Sequence, residues 1–158
     1  MNFVLTPENE QKLEKLFFRY PQKVAATLPA LWITQYQEGC IPMDAFDYLA
    51  EKLESTPMEV YRVATFYTMF HIGKPVGTYH LQVCKTLSCM LNGRDELLKT
   101  IEKNLNIKPG ETTEDGKFTL SLVECMGACA GAPMMSLNED YHENLTPQKL
   151  EEIIKELG

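Results

Sequence analysis

No stretch of this sequence approaches the roughly 18 consecutive apolar residues that a membrane-spanning helix requires, so no membrane insertion is expected. The opening residues MNFVLTPENEQKLEK have neither a basic start nor an apolar core of the kind that directs export, and no secretory signal is expected there. Positive charge is in deficit: 15 Lys and Arg stand against 22 Asp and Glu, a formal net charge of −7. A nucleic-acid binder needs a basic face for phosphates, so that class is disfavoured. No nucleophile is placed beside a base, no glycine-rich loop could cradle a phosphate, and no carboxylate pair is clustered. The C-x2-C spacing of thiol–disulfide reagents is also missing. A substrate site within this chain is therefore not expected.

What the sequence does have is cysteine in a pattern. The 158 residues are 44% hydrophobic and 23% charged, a normal globular balance whose core need not depend on disulfides. Five cysteines, an odd number, in a chain expected in a reducing compartment point to metal or redox chemistry rather than to covalent staples. Four of them lie between Tyr79 and Pro133 as two pairs, Cys84 with Cys89 (C-x4-C) and Cys125 with Cys129 (C-x3-C), with 35 residues between the pairs. Each pair follows a run that reads as a strand, YHLQV before Cys84 and FTLSLVE before Cys125. Each pair is thus expected in a loop at the carboxyl end of a strand. If those strands are neighbours, four thiols converge.

The N-terminal part, to about Phe70, reads as four short amphipathic helices in a bundle. Thr6-Pro7-Glu8 is a start signal, and Leu13, Leu16, Phe17 and Tyr20 give one apolar face that Pro21 ends. A second helix is expected from near Pro29 to Glu38, with Leu28, Leu31, Trp32 and Tyr36 as its stripe and Gly39 as its stop. Met43, Phe46, Leu49, Ala50 and Leu53 mark a third. Thr56 and Glu59 form a capping box around Pro57 for a fourth, with Val60, Val63, Ala64, Tyr67 and Phe70 on one side. His71 to Thr78, with two glycines and a proline, is the expected boundary, giving domains 1–74 and 75–158. The C-terminal part follows β-α-β-β-β-α. Its helices are marked by Leu97, Leu98, Ile101 and Leu105 and by Leu150, Ile153, Ile154 and Leu157, and a turn at Asn138-Glu139-Asp140 joins two short strands. That order suits a small sheet with helices packed on it, an α/β layer arrangement.

Two loops giving two sulfurs each can enclose a [2Fe–2S] rhomb, one pair per iron. Gly127, Ala128, Ala130, Gly131 and Ala132 are small enough to let backbone amides approach the sulfurs, and Gly93 allows similar closeness near the first loop. The spacing is not the plant-type ferredoxin run. Both spacers also fall within the range of a structural four-cysteine zinc site, although zinc knuckles more often use two-residue spacers. On residues alone, an electron-transfer protein and a zinc-stabilised interaction module both stand.

The sequence resembles the [2Fe–2S] E-subunit of bacterial NADH:quinone oxidoreductase (respiratory complex I). The resemblance spans nearly the whole chain and rests on VYRVATFYTMF (60–70), GTYHLQVCKTLSCMLNG (77–93), KPGETTEDGKFTL (108–120), VECMGACAGAPMM (123–135) and YHENLTP (141–147). It implies an N-terminal helical bundle followed by a thioredoxin-like [2Fe–2S] ferredoxin domain, with Cys84, Cys89, Cys125 and Cys129 as ligands of one cluster. It implies a flavoprotein partner that carries FMN and the NADH site, with which the cluster exchanges single electrons. This chain would bind neither FMN nor NADH alone. It would sit in the peripheral arm of a membrane-bound complex, on the cytoplasmic side. The same module serves NAD-linked hydrogenases and formate dehydrogenases, which remain alternatives. Thioredoxin-like folds also suggest a cis bond at Ala132–Pro133.

Other residues have plainer expectations. Cys40, outside both pairs, reads as a small buried hydrophobe. His71, His80 and His142 lack metal-like spacing and read as surface or hydrogen-bonded residues. Met90 and Met126 flank ligand positions and read as packing residues that could shield a cluster. Phe66, Tyr67 and Phe70 read first as core aromatics, and Glu124 as solvated.

Overall fold

Thr6 and Pro7 start the first helix, α1 (Pro7–Phe17), in the computed structural model, which describes residues 3–158. The Thr6 hydroxyl accepts from Asn9 N at 3.4 Å and Pro7 fills a first-turn position that has no use for an N–H. The chain divides into two compact units, Met1–Pro75 and Val76–Gly158.

The first unit adds a 3-10 turn (Lys23–Ala26) and three helices, α2 (Thr27–Glu38), α3 (Ala45–Leu53) and α4 (Pro57–Phe66). Gly39 ends α2 with φ +75°, a left-handed conformation that costs glycine little. The expected box around Pro57 is present in full. Thr56 accepts from Glu59 N, and the Glu59 carboxylate accepts from Thr56 N at 3.2 Å. Leu13, Leu31, Leu49, Leu53, Val60 and Ala64 meet in one core.

Four expected core aromatics or methionines face outward: Tyr36, Met43, Phe66 and Tyr67. On α2 the inward face is Thr27, Ala30, Leu31, Thr34 and Gln35, so Tyr36 is 73% exposed and stacks on Trp32, ring centroids 5.2 Å apart. Met43 lies before α3 and is exposed, and Phe66, the last residue of α4, is 76% exposed because Tyr67 turns the backbone extended (φ −92°, ψ 112°). Phe70 is buried.

The second unit contains a four-stranded sheet built from β1 (Tyr79–Cys84), β2 (Phe118–Val123), β3 (Met135–Leu137) and β4 (Asp140–His142), in the order β2-β1-β3-β4. β1 and β2 are parallel neighbours, while β3 runs antiparallel to both β1 and β4. The parallel pair is joined by a short helix, α5 (Leu87–Leu91), and a longer one, α6 (Arg94–Leu105); α7 (Pro147–Leu157) closes the chain. Leu97 and Ile101 of α6 and Leu150 and Ile154 of α7 pack with Leu81, Val83, Phe118 and Leu120 from the sheet. Helix α5 falls where a loop was expected. Ala132–Pro133 is cis.

Thr56→Ala should destabilise the chain by about 1 kcal/mol, the usual cost of losing such a cap, read as a lower denaturation midpoint followed by helical circular dichroism.

Candidate metal centre

The register of the parallel pair decides where the thiols go. Tyr79 lies opposite Phe118, and the pairing runs to Cys84 opposite Val123. Cys84 is therefore the last residue of β1, and Cys125 follows two residues beyond the end of β2 on the adjacent strand. Lys85 N continues the ladder to Val123 O at 2.9 Å, and the Lys85 ammonium pairs with the Glu124 carboxylate at 2.7 Å, across the two chain segments that lead into the thiols. Glu124 is thus solvated, as expected, but also paired. Of the four cysteines only Cys125 is in an irregular loop: Cys89 is within α5, and Cys129 opens a 3-10 turn (Cys129–Gly131).

The sulfurs come together as the two pairs that the spacing defines. Cys125 Sγ and Cys129 Sγ are 3.4 Å apart, and the Cys84 and Cys89 thiols lie near enough to shift each other's ionisation. Cys84, Cys89 and Met134 form a small buried cluster on which Met126, Ala128 and Ala132 pack. The first pair is 2% and 1% exposed, whereas Cys125 and Cys129 are exposed. Among the described residues no group of three or more His, Cys, Asp or Glu side chains is arranged to hold a single metal ion.

The thiols feel one another's charge. Burial pushes Cys84 up, but hydrogen bonds from the Thr86 side chain and backbone, from Cys89 and from the Met126 backbone outweigh it and hold this thiol below its usual range. Cys89 is raised, by burial first and then by its bond to Cys84 and the charges of Cys84 and Cys129, against a Met134 backbone bond that lowers it. Cys125 is lowered, chiefly by the Gly127 N–H, which donates to Cys125 Sγ at 3.4 Å. Gly127 adopts φ +86° in doing so, a conformation that favours glycine. Cys129 is raised, first by its hydrogen bond with Cys125 and then by that residue's charge. Each pair thus combines one lowered and one raised thiol, and a nearby cation favours the ionised form of a thiol.

The Gly127 N–H, which donates to Cys125 Sγ, supplies the amide donation expected of a small-residue loop. The donor set of four soft sulfurs in two pairs, supported by amides, suits an iron–sulfur rhomb. The family model of the thioredoxin-like [2Fe-2S] ferredoxins matches residues 13–158. The chain belongs to that family. Its cofactor is accordingly a [2Fe–2S] cluster, which resolves the choice that spacing alone left between iron–sulfur and zinc.

Relatives of this ferredoxin agree. It is 48% identical over 158 residues to the NADH-quinone oxidoreductase E-subunit of Rickettsia felis, covering 98% of this chain and 94% of the relative. It is 44% identical over 145 residues to the NADH-quinone oxidoreductase E-subunit 2 of Rhizobium meliloti, covering 92% and 86%. Among solved structures, an NAD+-reducing [NiFe]-hydrogenase in its H2-reduced state shares the fold at a TM-score of 0.72 and 20% identity, over 84% of this chain and 22% of the hydrogenase chain.

The residues outside the pairs are placed as follows. Cys40 is buried in the first unit, and its thiol is pushed up by burial and by the Glu38 charge. His80 Nε2 is 2.7 Å from Ser121 Oγ, so this histidine is hydrogen-bonded. Burial lowers His71. Met126 packs on the sulfur cluster, while Met90 is 43% exposed. Two hydroxyls near the sulfurs carried no signal in the spacing. Thr86 Oγ1 is 3.2 Å from Cys84 Sγ, and Ser88 Oγ donates to Cys129 O at 3.2 Å, tying α5 to the second loop. A threonine two residues after a cysteine is the only sequence cue for the first.

In the metal-free chain at neutral pH, iodoacetamide should alkylate Cys125 first and leave Cys40 and Cys89 largely unmodified, because only Cys125 is both exposed and lowered. Time-resolved peptide mass spectrometry reads the order.

Proposed function

We propose that Cys84 and Cys89 ligate one iron and Cys125 and Cys129 the other, in an electron-transfer subunit of an NADH:quinone oxidoreductase. The partner is the NADH-binding flavoprotein subunit, with whose FMN single electrons are exchanged. The observation that carries this reading is the convergence of the two thiol pairs at the carboxyl ends of parallel neighbours β1 and β2. The near-full-length similarity to NADH-quinone oxidoreductase E-subunits supports the assignment to that complex rather than to a hydrogenase or formate dehydrogenase.

When bound, the cluster supplies a site for one electron at a time, which lets a two-electron hydride donor discharge singly. The residues of this chain do the rest. Buried Cys84 and Cys89, with Met134 against them, hold one side of the centre away from water. The exposed Cys125 and Cys129 leave the other side accessible. The Gly127 amide is aimed at Cys125 Sγ at 3.4 Å and is already fixed, so it need not reorganise when charge arrives. The chain has no substrate site of its own and holds neither NADH nor FMN. Its proposed place is the peripheral arm of the complex, on the cytoplasmic side; among the described residues no helix is long and apolar enough to cross a membrane.

Anaerobically purified protein should contain two irons and two sulfides per chain and show the reddish-brown colour of a [2Fe–2S] centre. Alanine at Cys84, Cys89, Cys125 or Cys129 should abolish or rearrange the visible spectrum, and Cys40→Ala should leave it unchanged. A spectrum bleached by Cys40→Ala would refute the ligand assignment. NADH alone should not reduce the isolated chain. NADH with the FMN-bearing partner should, as followed by bleaching of the cluster absorbance.

A further inference from the structure

Thr86 stands two residues after Cys84 and immediately before α5. Threonine at such a position ordinarily turns its oxygen towards the free N–H groups of the first helical turn. Here it makes no such bond. Its Oγ1 instead lies 3.2 Å from Cys84 Sγ, a sulfur that is only 2% exposed.

In the metal-free chain either Cys84 or Thr86 can donate across that contact. A sulfur bound to iron has no proton, so the hydroxyl is then the donor of the two. We propose that Thr86 is a positioning residue that sets the reduction potential of the centre by donating its Oγ1 proton to Cys84 Sγ. The inference rests on Cys84 being a ligand, as assigned under Proposed function. Reduction adds one electron to a diferric centre, giving one ferrous and one ferric ion. No bond to sulfur forms or breaks, the hydroxyl proton stays on its oxygen, and the net charge becomes more negative by one. A hydrogen bond strengthens as its acceptor gains negative charge, so this bond favours the reduced form and raises the potential. Burial of Cys84 amplifies the effect, because little water is at hand to replace the lost donor.

The test compares the full-length, cluster-loaded protein with Thr86→Val, which keeps the branched shape without the hydroxyl, and with Thr86→Ser, which keeps the hydroxyl. Each is titrated anaerobically with dithionite and mediators, the reduced centre being read by electron paramagnetic resonance. Thr86→Val should show a reduced-to-oxidised ratio about tenfold smaller at the same ambient potential, equivalent to a potential about 59 mV lower for one electron. Thr86→Ser should stay at the wild-type value. Equal potentials for Thr86→Val and wild type would overturn the inference. Thr86→Ala is the second variant if valine prevents folding. If both load no iron and sulfide, Thr86 serves to hold the centre together rather than to tune it, and the inference is overturned. Failure of the wild-type chain itself to take up iron and sulfide is a different result, which removes the ligand assignment.

Discussion

Mutual repulsion between sulfur charges is the constraint around which the second unit is arranged. Each pair holds one lowered and one raised thiol: hydrogen bonds lower Cys84 and Cys125, burial and neighbouring sulfur charge raise Cys89, and the bond to Cys125 and that residue's charge raise Cys129. The fold answers with fixed partial positive charge. The Gly127 N–H points at Cys125 Sγ, and the parallel register of β1 and β2 brings the two cysteine-bearing segments to one end of the sheet. Gly127 takes φ +86° where its N–H meets Cys125, and Ala128 and Ala132 pack on the cluster of Cys84, Cys89 and Met134.

The two pairs are not equivalent. Cys84 and Cys89 belong to regular elements, a strand end and a short helix, and are packed under Met134. Cys125 and Cys129 come from a loop and a 3-10 turn and face outward. A centre held by these four cysteines, as proposed, would have a dry side and an accessible side. That suits electron exchange with a partner, because the water-excluded side limits the rearrangement that each electron demands.

Much of this was readable in the residues. The hydroxyl–proline starts at Thr6 and Thr56, the glycine stop at Gly39 and the paired cysteines each carry a local physical signal that tertiary structure does not override. The convergence of the pairs was conditional on β1 and β2 being neighbours, which alternation cannot show and the register does. Helix α5 escaped notice because five residues are too few to display a helical period. Tyr36, Met43, Phe66 and Tyr67 face outward against expectation for a related reason: each sits at the margin or end of an apolar stripe, where a shift of one position turns a side chain outward. The Thr86 and Ser88 hydroxyls were invisible, since their partners are fixed only when the loops close.

β2 is an edge strand, and its two halves are held differently. Gly110 to Thr113 covers the outer side of its first half, with Gly110 N donating to Leu120 O at 2.7 Å and Leu120 N to Glu111 O at 3.0 Å. Among the described residues, Ser121, Leu122 and Val123 pair in the sheet with β1 alone. The half of the strand that leads to Cys125 is therefore the half most easily peeled away. A cofactor held by both pairs, as proposed, would act as a clasp across that seam, so that loss of metal and fraying of the margin would become one event and iron content would report on the integrity of a single strand.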